Sequence, residues 1–464
     1  MNKTSGHAEL FGQFWQVLTG EAIEPGQVSI TGDDSVLPGP FRVAAAAAAS
    51  VTAANLAAAE LLRAKGVDPG VVTVDTRHAA AAFRSERLLR IDGESPGDLF
   101  APLSADYRAA DGWVRLHCNY PHHAVAASRA LGVPAERAAL EAAVLSRRAS
   151  DVQEAVIAAG GAAAAMRTRE EWHAHPQGTA LRALPLVELR RLASTAPVPL
   201  PPGDRPLSGI KVLELTHVIA GPVCGRVLAA HGADVLHVGA SHLPLVGPLV
   251  ADTGFGKRSA AIDLRDGDGR ARLRELVREA DVFVQSYRPG SLAAKGFDAD
   301  MLAEASPGIV AVDLSAYGWQ GPWAGRRGFD SLVQLASGIA DEGARQAGTE
   351  GPRPLPAQAL DHATGWLAAA TVMTALRRRT RAGGAWRARL SLARTGLWLD
   401  SLGRLDPDDT NGPHQPQDPD DLLDEIGSPF GRVSYVRMPG WLPAAPPHFS
   451  HGPHLPGSDP AEWW

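Results

Sequence analysis

The sequence predicts an α/β protein, with a doubly wound, mostly parallel, Rossmann-like large domain and a smaller α+β domain. Three observations predict it. Beyond residue 206, short apolar runs alternate with helical patterns, the signature of a parallel sheet covered by helices. Upstream, a hairpin pattern is followed by several helical stretches, which reads as a small α+β unit. Between them, residues 197–206 carry five prolines and form the clearest linker in the chain. The 464 residues are too many for one average domain, and 45% hydrophobic content supplies ample core.

The elements follow in order. Phe11, Phe14, Trp15 and Leu18 are spaced as one face of a short amphipathic helix. Residues 41–64 read as an Ala-rich helix, residues 71–74 as a strand, and residues 78–89 as helix again. Asp111-Gly112 marks a hairpin turn, with helices at 121–132 and 135–145. After the linker, strands are expected at 212–215, 235–238, 260–264, 282–284 and 309–312, with helices at 221–230 and 273–280. No G-x-G-x-x-G follows the first of these strands, so a dinucleotide site has no support.

An internal repeat is also visible. Pro38-Gly39-Pro40 precedes the first Ala-rich helix, and Pro354-Leu355-Pro356 precedes a second one at 361–379, offset by 316 residues. The same offset carries the strand at 72–74 onto 388–390. Ala45 of the first copy falls on Asp361 of the second. The expected organisation is an N-terminal helix with a degenerate repeat (1–98), the small domain (99–196), the linker (197–206), the large domain (207–404) and an extended C-terminal arm (405–464).

Composition narrows the function. With 45 Lys+Arg against 51 Asp+Glu the net charge is −6, which argues against a nucleic-acid partner. Two cysteines, Cys118 and Cys224, make no disulfide framework and suit a reducing cytoplasm. The first thirty residues lack an export pattern, and no long uncharged apolar run suggests a membrane span. His448, His451 and His454 lie close together, but without Cys or carboxylate neighbours in sequence they read as packed tail residues and not as a metal site.

Residues 205–222, from Arg205-Pro206-Leu207 through Val212-Leu213-Glu214-Leu215-Thr216-His217 to Gly221-Pro222, open a series of motifs. Gly256-Lys257-Arg258-Ser259, Tyr287-Arg288-Pro289-Gly290, Gly296-Phe297, Gly328-Phe329-Asp330 and Leu360-Asp361 follow. In that order they resemble the class III coenzyme A transferases, the group with formyl-CoA transferase and carnitine CoA-transferase. The segment from Tyr107 to about Pro176 resembles that family's small domain, although there it follows the large domain.

The resemblance implies a CoA-transferase that needs no permanently bound cofactor or metal, with acyl-CoA and a carboxylic acid as substrates and a homodimeric, cytoplasmic setting. It puts the nucleophilic carboxylate at Asp361. A carboxylate at a helix start also suits the free N–H groups there, although the same residue type serves as an ordinary cap worth about 1 kcal/mol. His217 matches an active-site histidine. Val218, Ile262, Tyr287 and Arg327 match CoA-contacting positions. Ala240 and Ala294 stand where arginines are expected, and Ser286 where asparagine is, which shifts phosphate binding to Arg288, Lys295 or Arg326. The glycine-rich loop that covers the site in formyl-CoA transferase has no counterpart. The alternatives are a 2-methylacyl-CoA racemase, for which Phe329 replaces the proton-transfer histidine and His122 or His123 would be recruited, and a non-catalytic CoA-binding homologue.

Overall fold

The computed structural model describes residues 12, 14–406 and 419–463. Phe11 lies outside them. Phe14, Trp15 and Leu18 are buried in the main core. Two short strands, β1 (Val28–Thr31) and β2 (Val72–Asp75), pair in parallel with Val28 opposite Val72. The helix α1 (Val43–Ala64) connects them, and its run of alanines is buried on every side. Small side chains let it lie close to its neighbours, which explains an all-round apolar helix in the interior. Residues 78–89 form two short helices, Thr76–Ala82 and Ser85–Leu88, and a short strand β3 (Arg90–Ile91) follows.

The small unit is an antiparallel sheet of β4 (Ala105–Ala109), β5 (Gly112–Leu116) and β6 (Ala163–Ala165). The predicted turn at Asp111-Gly112 joins β4 to β5. Helices between β5 and β6, including α2 (Pro121–Leu131), pack over this sheet around Tyr107, Val114 and Leu140.

The central sheet has seven strands: β7 (Glu188–Ala193), β8 (Lys211–Leu215), β9 (Asp234–Gly239), β10 (Lys257–Ala261), β11 (Val282–Gln285), β12 (Val310–Ser315) and β13 (Ala385–Ser391). Their order is β10-β9-β8-β11-β12-β13-β7, parallel except for β7. From β8 the chain runs outward to one edge and, after β10, returns to build the other. The change of direction therefore falls between β8 and β11, whose C-terminal ends open the crevice where such sheets bind ligands. Three helices position the site: α3 (Ala220–Ala230), α4 (Asp330–Ala336) and α5 (Ala359–Ala382).

The structure departs from the sequence reading in three places. The edge strand β7 precedes the linker, so the central sheet recruits residues assigned to the small domain. The strand expected at 260–264 instead spans Lys257–Ala261, where the backbone pairs with Val235–Gly239 of β9 and buried Glu214 compensates the inward Lys257 charge. The C-terminal segment is more than an extended arm: β14 (Leu423–Ser428) and β15 (Gly431–Val436) form a hairpin, and β15 pairs with β3. Only α1 has the length and hydropathy to cross a membrane among the described residues, and it is wholly buried.

The 316-residue offset carries into geometry. The residues preceding α1 and α5, Arg42 and Gln358, share φ/ψ of −78°/57° and −77°/61°. Asp75 caps the helix after β2 through His78 N–H, and Ser391 caps the helix after β13 through Arg394 N–H. Helices α1 and α5 pack against each other.

Candidate active site

A cavity of about 640 Å³ opens at the C-terminal ends of β8, β9, β11 and β12. His217 and Tyr287 project from the ends of β8 and β11, with Arg288 beside them, and Arg327 and Phe329 come from the segment leading into α4. The small unit contributes Tyr120, His122 and His123 from the start of α2. A neighbouring cavity of about 140 Å³ is lined by Ile262, Tyr287, Ala240 and Lys295. A recess of about 50 Å³ is lined by His217, Val218 and apolar side chains of the loop and helix before β10. The candidate binding residues named from the sequence thus gather in one contiguous space.

Asp361 lines none of these cavities. It is the third residue of α5, not its cap, and only 6% of its surface is exposed. The backbone amide of Ala220, the first residue of α3, acts on its carboxylate in the sense that favours charge, so the N-termini of α3 and α5 both face it. Such termini favour negative charge. The approach is close because residue 365 has no side chain: a Cβ there would come within 2.6 Å of the Ala220 carbonyl oxygen and 2.8 Å of Val223 Cβ. Val218, two residues before α3, takes φ = +70°, a conformation that a β-branched residue rarely adopts. That strained turn directs the chain from the end of β8 into α3 and sets the position of the Ala220 amide.

Two further carboxylates lie close to Asp361. The Asp330 carboxylate, at the first position of α4, accepts the Asp361 N–H at 2.9 Å and a hydrogen bond from the Gln334 amide. Glu86, from the N-terminal unit, meets His362 Nε2 at 3.0 Å, and Phe83 stacks on the same ring. Burial pushes Asp330 up to about 6 despite its donors. Asp361 is raised well above the ordinary carboxylate range, first by burial, then by the charges of Asp330 and Glu86. Burial opposes charge on Glu86 more than any other single influence, but the hydrogen bond and charge of His362, with a backbone N–H and Arg87, together lower its pKa. A proton is thus held within this cluster well above the pH at which a solvated carboxylate loses it.

The cationic side is equally specific. Arg288 and Arg327 face the same cavity, and neither has an ion-pair partner among the described residues. Burial, then repulsion by Arg288, lowers the Arg327 pKa. Two adjacent uncompensated guanidinium groups make a site that an anion stabilises, and phosphates suit them. Arg326 is different: it forms a two-pronged pair with Glu154 at 2.8 and 3.0 Å and lies over Trp323.

His217, His117 and His123 stay neutral at pH 7. Burial lowers His217 to about 4 and His117 to about 3, and burial with the His122 charge lowers His123 to about 4. His117 stacks face to face on Phe329 at 3.6 Å between centroids, and Tyr120 lies between His123 and His217. His454 bonds Asp459 at 2.8 Å, and no cluster of His, Cys, Asp and Glu able to hold a metal ion occurs among the described residues.

Sequence reasoning did not single out Glu86, His362, the Ala220 amide or Gly365, and it left Asp330 as part of a motif without a role. Glu86 and His362 are 276 residues apart, so only the fold brings them together.

Comparison with known proteins identifies the family. The profile of CoA-transferase family III matches residues 207–420. An acyl-CoA transferase of Gibberella moniliformis is 31% identical over 423 residues, covering 82% of this chain and 74% of that one. The acetyl-coenzyme A transferase nodX of Hypoxylon pulicicidum is 35% identical over 207 residues, covering 44% of this chain and 35% of that one. The succinyl-CoA:glutarate CoA-transferase of Homo sapiens is 33% identical over 193 residues, covering 39% of this chain and 43% of that one. The chain therefore matches less than half the length of the latter two. With 74% of the Gibberella protein matched at 31% identity, the chain belongs to CoA-transferase family III, enzymes whose substrates are CoA thioesters.

Proposed function

We propose that this protein moves coenzyme A from an acyl-CoA donor to a carboxylic acid acceptor, with Asp361 as the nucleophile, on a doubly wound large domain. The observation that carries the reading is the environment of Asp361, a buried carboxylate where two helix N-termini meet, in a fold whose crevice presents two arginines without ion-pair partners.

The Asp361 carboxylate attacks the thioester carbonyl, the C–S bond breaks, and CoA leaves as thiolate with an aspartyl–acyl anhydride behind it. The thiolate then attacks the Asp361 carbonyl carbon and releases the donor acid as carboxylate, leaving an aspartyl-CoA thioester. The acceptor carboxylate attacks that thioester, and the returning thiolate takes the acyl group from the second anhydride, which restores Asp361. No net proton is consumed. The Ala220 N–H, fixed by the Val218 turn, supports the developing oxyanion. Neutral His217 serves as a hydrogen-bond donor and not as a proton source, because its pKa lies near 4. Arg288, Arg327 and Lys295 hold the phosphates, while Ile262 and Tyr287 pack on the nucleotide.

The test is covalent trapping. Incubation with an acyl-CoA, hydroxylamine treatment and peptide mass spectrometry should find a hydroxamate at Asp361. Transfer that proceeds with no adduct at Asp361 rejects the mechanism. A racemase would instead exchange the substrate α-proton with deuterated solvent without any acceptor acid.

A further inference from the structure

The C-terminal segment was expected only to wrap the fold, yet it reaches the substrate space. After β15 the chain is fixed at successive points. Trp441 exchanges backbone hydrogen bonds with Thr73, at 2.8 and 3.1 Å, and the His451 carbonyl accepts the Gly256 N–H. The chain then docks on the edge strand β10. Ser259 N–H donates to Asp459 Oδ2 at 2.7 Å, Asp459 N–H donates to the Ser259 carbonyl at 2.8 Å, and Gly457 N–H donates to Ser259 Oγ at 3.1 Å. Beyond this, the Trp463 indole donates to the Leu276 carbonyl. The segment is therefore pinned on both sides of residues 454–457.

Those residues face the site. Pro456 and Gly457 line the main cavity, and His454 lines the smaller recess. The recess is walled by Pro222, Leu245, Val246, Leu249 and Val250, which supply most of its surface, with the mutually paired Glu214 and Lys257 among its polar lining. It borders His217 and Val218, the turn that leads to the Ala220 amide, and His454 forms part of its wall. His454 cannot swing aside freely, because its Nδ1 is held by Asp459 at 2.8 Å.

We infer that the C-terminal segment is a specificity wall of the transferase site, with His454 and Pro456 limiting the acyl group to a short aliphatic chain. This rests on the transferase reading above and names the group that the site takes. Apolar walls favour hydrocarbon, and the small volume excludes long chains. A methylene that does or does not fit such a pocket changes selectivity by about tenfold or more.

Two substitutions of opposite sense test it: His454→Ala opens the recess and His454→Trp fills it. Transfer rates and dissociation constants are measured for a series of straight-chain acyl-CoAs and for CoA itself. His454→Ala should raise the long-to-short ratio of kcat/KM by about tenfold, and His454→Trp should lower it, with the affinity for free CoA unchanged in both. A folding defect would lower all donors together and would not produce opposite shifts. Wild-type ratios in both variants, or parallel losses across the series, overturn the wall while leaving the transferase standing. Failure of the wild-type chain to bind any acyl-CoA overturns both.

Discussion

Ala45 and Asp361 occupy the third position of two mutually packed helices, and each donates its backbone N–H to a buried aspartate, Ala45 to Asp34 at 2.6 Å and Asp361 to Asp330 at 2.9 Å. The same helix start is thus present twice, once with a carboxylate and once with a methyl group. The two differ in surroundings as well. Asp34 is bonded by Arg42, whereas Asp330 meets no guanidinium and is raised by burial.

Ala45→Asp separates the helix start from its environment. A second carboxylate beside Asp34, with no facing helix like α3, should cost about 2–3 kcal/mol in urea unfolding. Transfer activity should not increase. A second hydroxylamine-sensitive site at residue 45 would contradict this account.

Asp361 should set the acid limb of the pH–rate profile. Its carboxylate must be ionised to attack, and its pKa is raised, so kcat/KM should fall as pH drops through a value well above the ordinary carboxylate range. The stability linkage runs oppositely. The folded chain keeps a proton that the unfolded chain has released, so Asp361 costs stability as pH rises from about 4 through its folded value. Asp361→Asn should therefore abolish transfer and stabilise the fold against urea at pH 7. That gain should vanish near pH 4.

Gly365→Ala probes the spacing between α3 and α5. The added methyl meets the Ala220 carbonyl and Val223, so the helix starts must separate, at about 1–3 kcal/mol. The Ala220 N–H then moves away from Asp361. The expected result is kcat lowered at least about tenfold, with the KM for acyl-CoA changed less, because the cationic residues proposed to hold the phosphates lie on other elements.

Arg327→Gln and Arg288→Gln should each raise the KM for acyl-CoA by about tenfold and flatten its dependence on salt, with little change in kcat. Arg326→Gln should leave that KM near wild type, because Glu154 already holds the side chain. An equal effect at all three arginines would refute the distinction.

Much of the sheet was legible because its strands are short valine-rich runs between helical patterns, such as Val282–Gln285 and Val310–Ser315. The turn at Asp111-Gly112 and the paired Ala-rich helices were legible for equally local reasons. Strand β7 was not: Glu188–Ala193 carries adjacent arginines and is half-exposed, so no alternation announces it. At the site, Asp361 and the cationic residues were found through ordered motifs. The features that tune them are tertiary. Glu86 reaches His362 from the other repeat, the positive φ of Val218 is invisible in a valine, and the contact of His454 with the recess depends on the path of the last thirty residues.

The bonds between Ser259 and Asp459 have a consequence of another kind. Strand β10 is the outer edge of the central sheet, and an uncovered parallel edge is a template for pairing with another chain. The opposite edge, β7, is shielded by the charges of Arg190 and Arg191, whereas β10 is buried from Lys257 to Ala260, with its backbone at Ser259 occupied from within the same molecule. Coverage by residues 457–459 therefore protects the protein from stacking edge to edge, and solubility on heating depends on a contact that also borders the substrate.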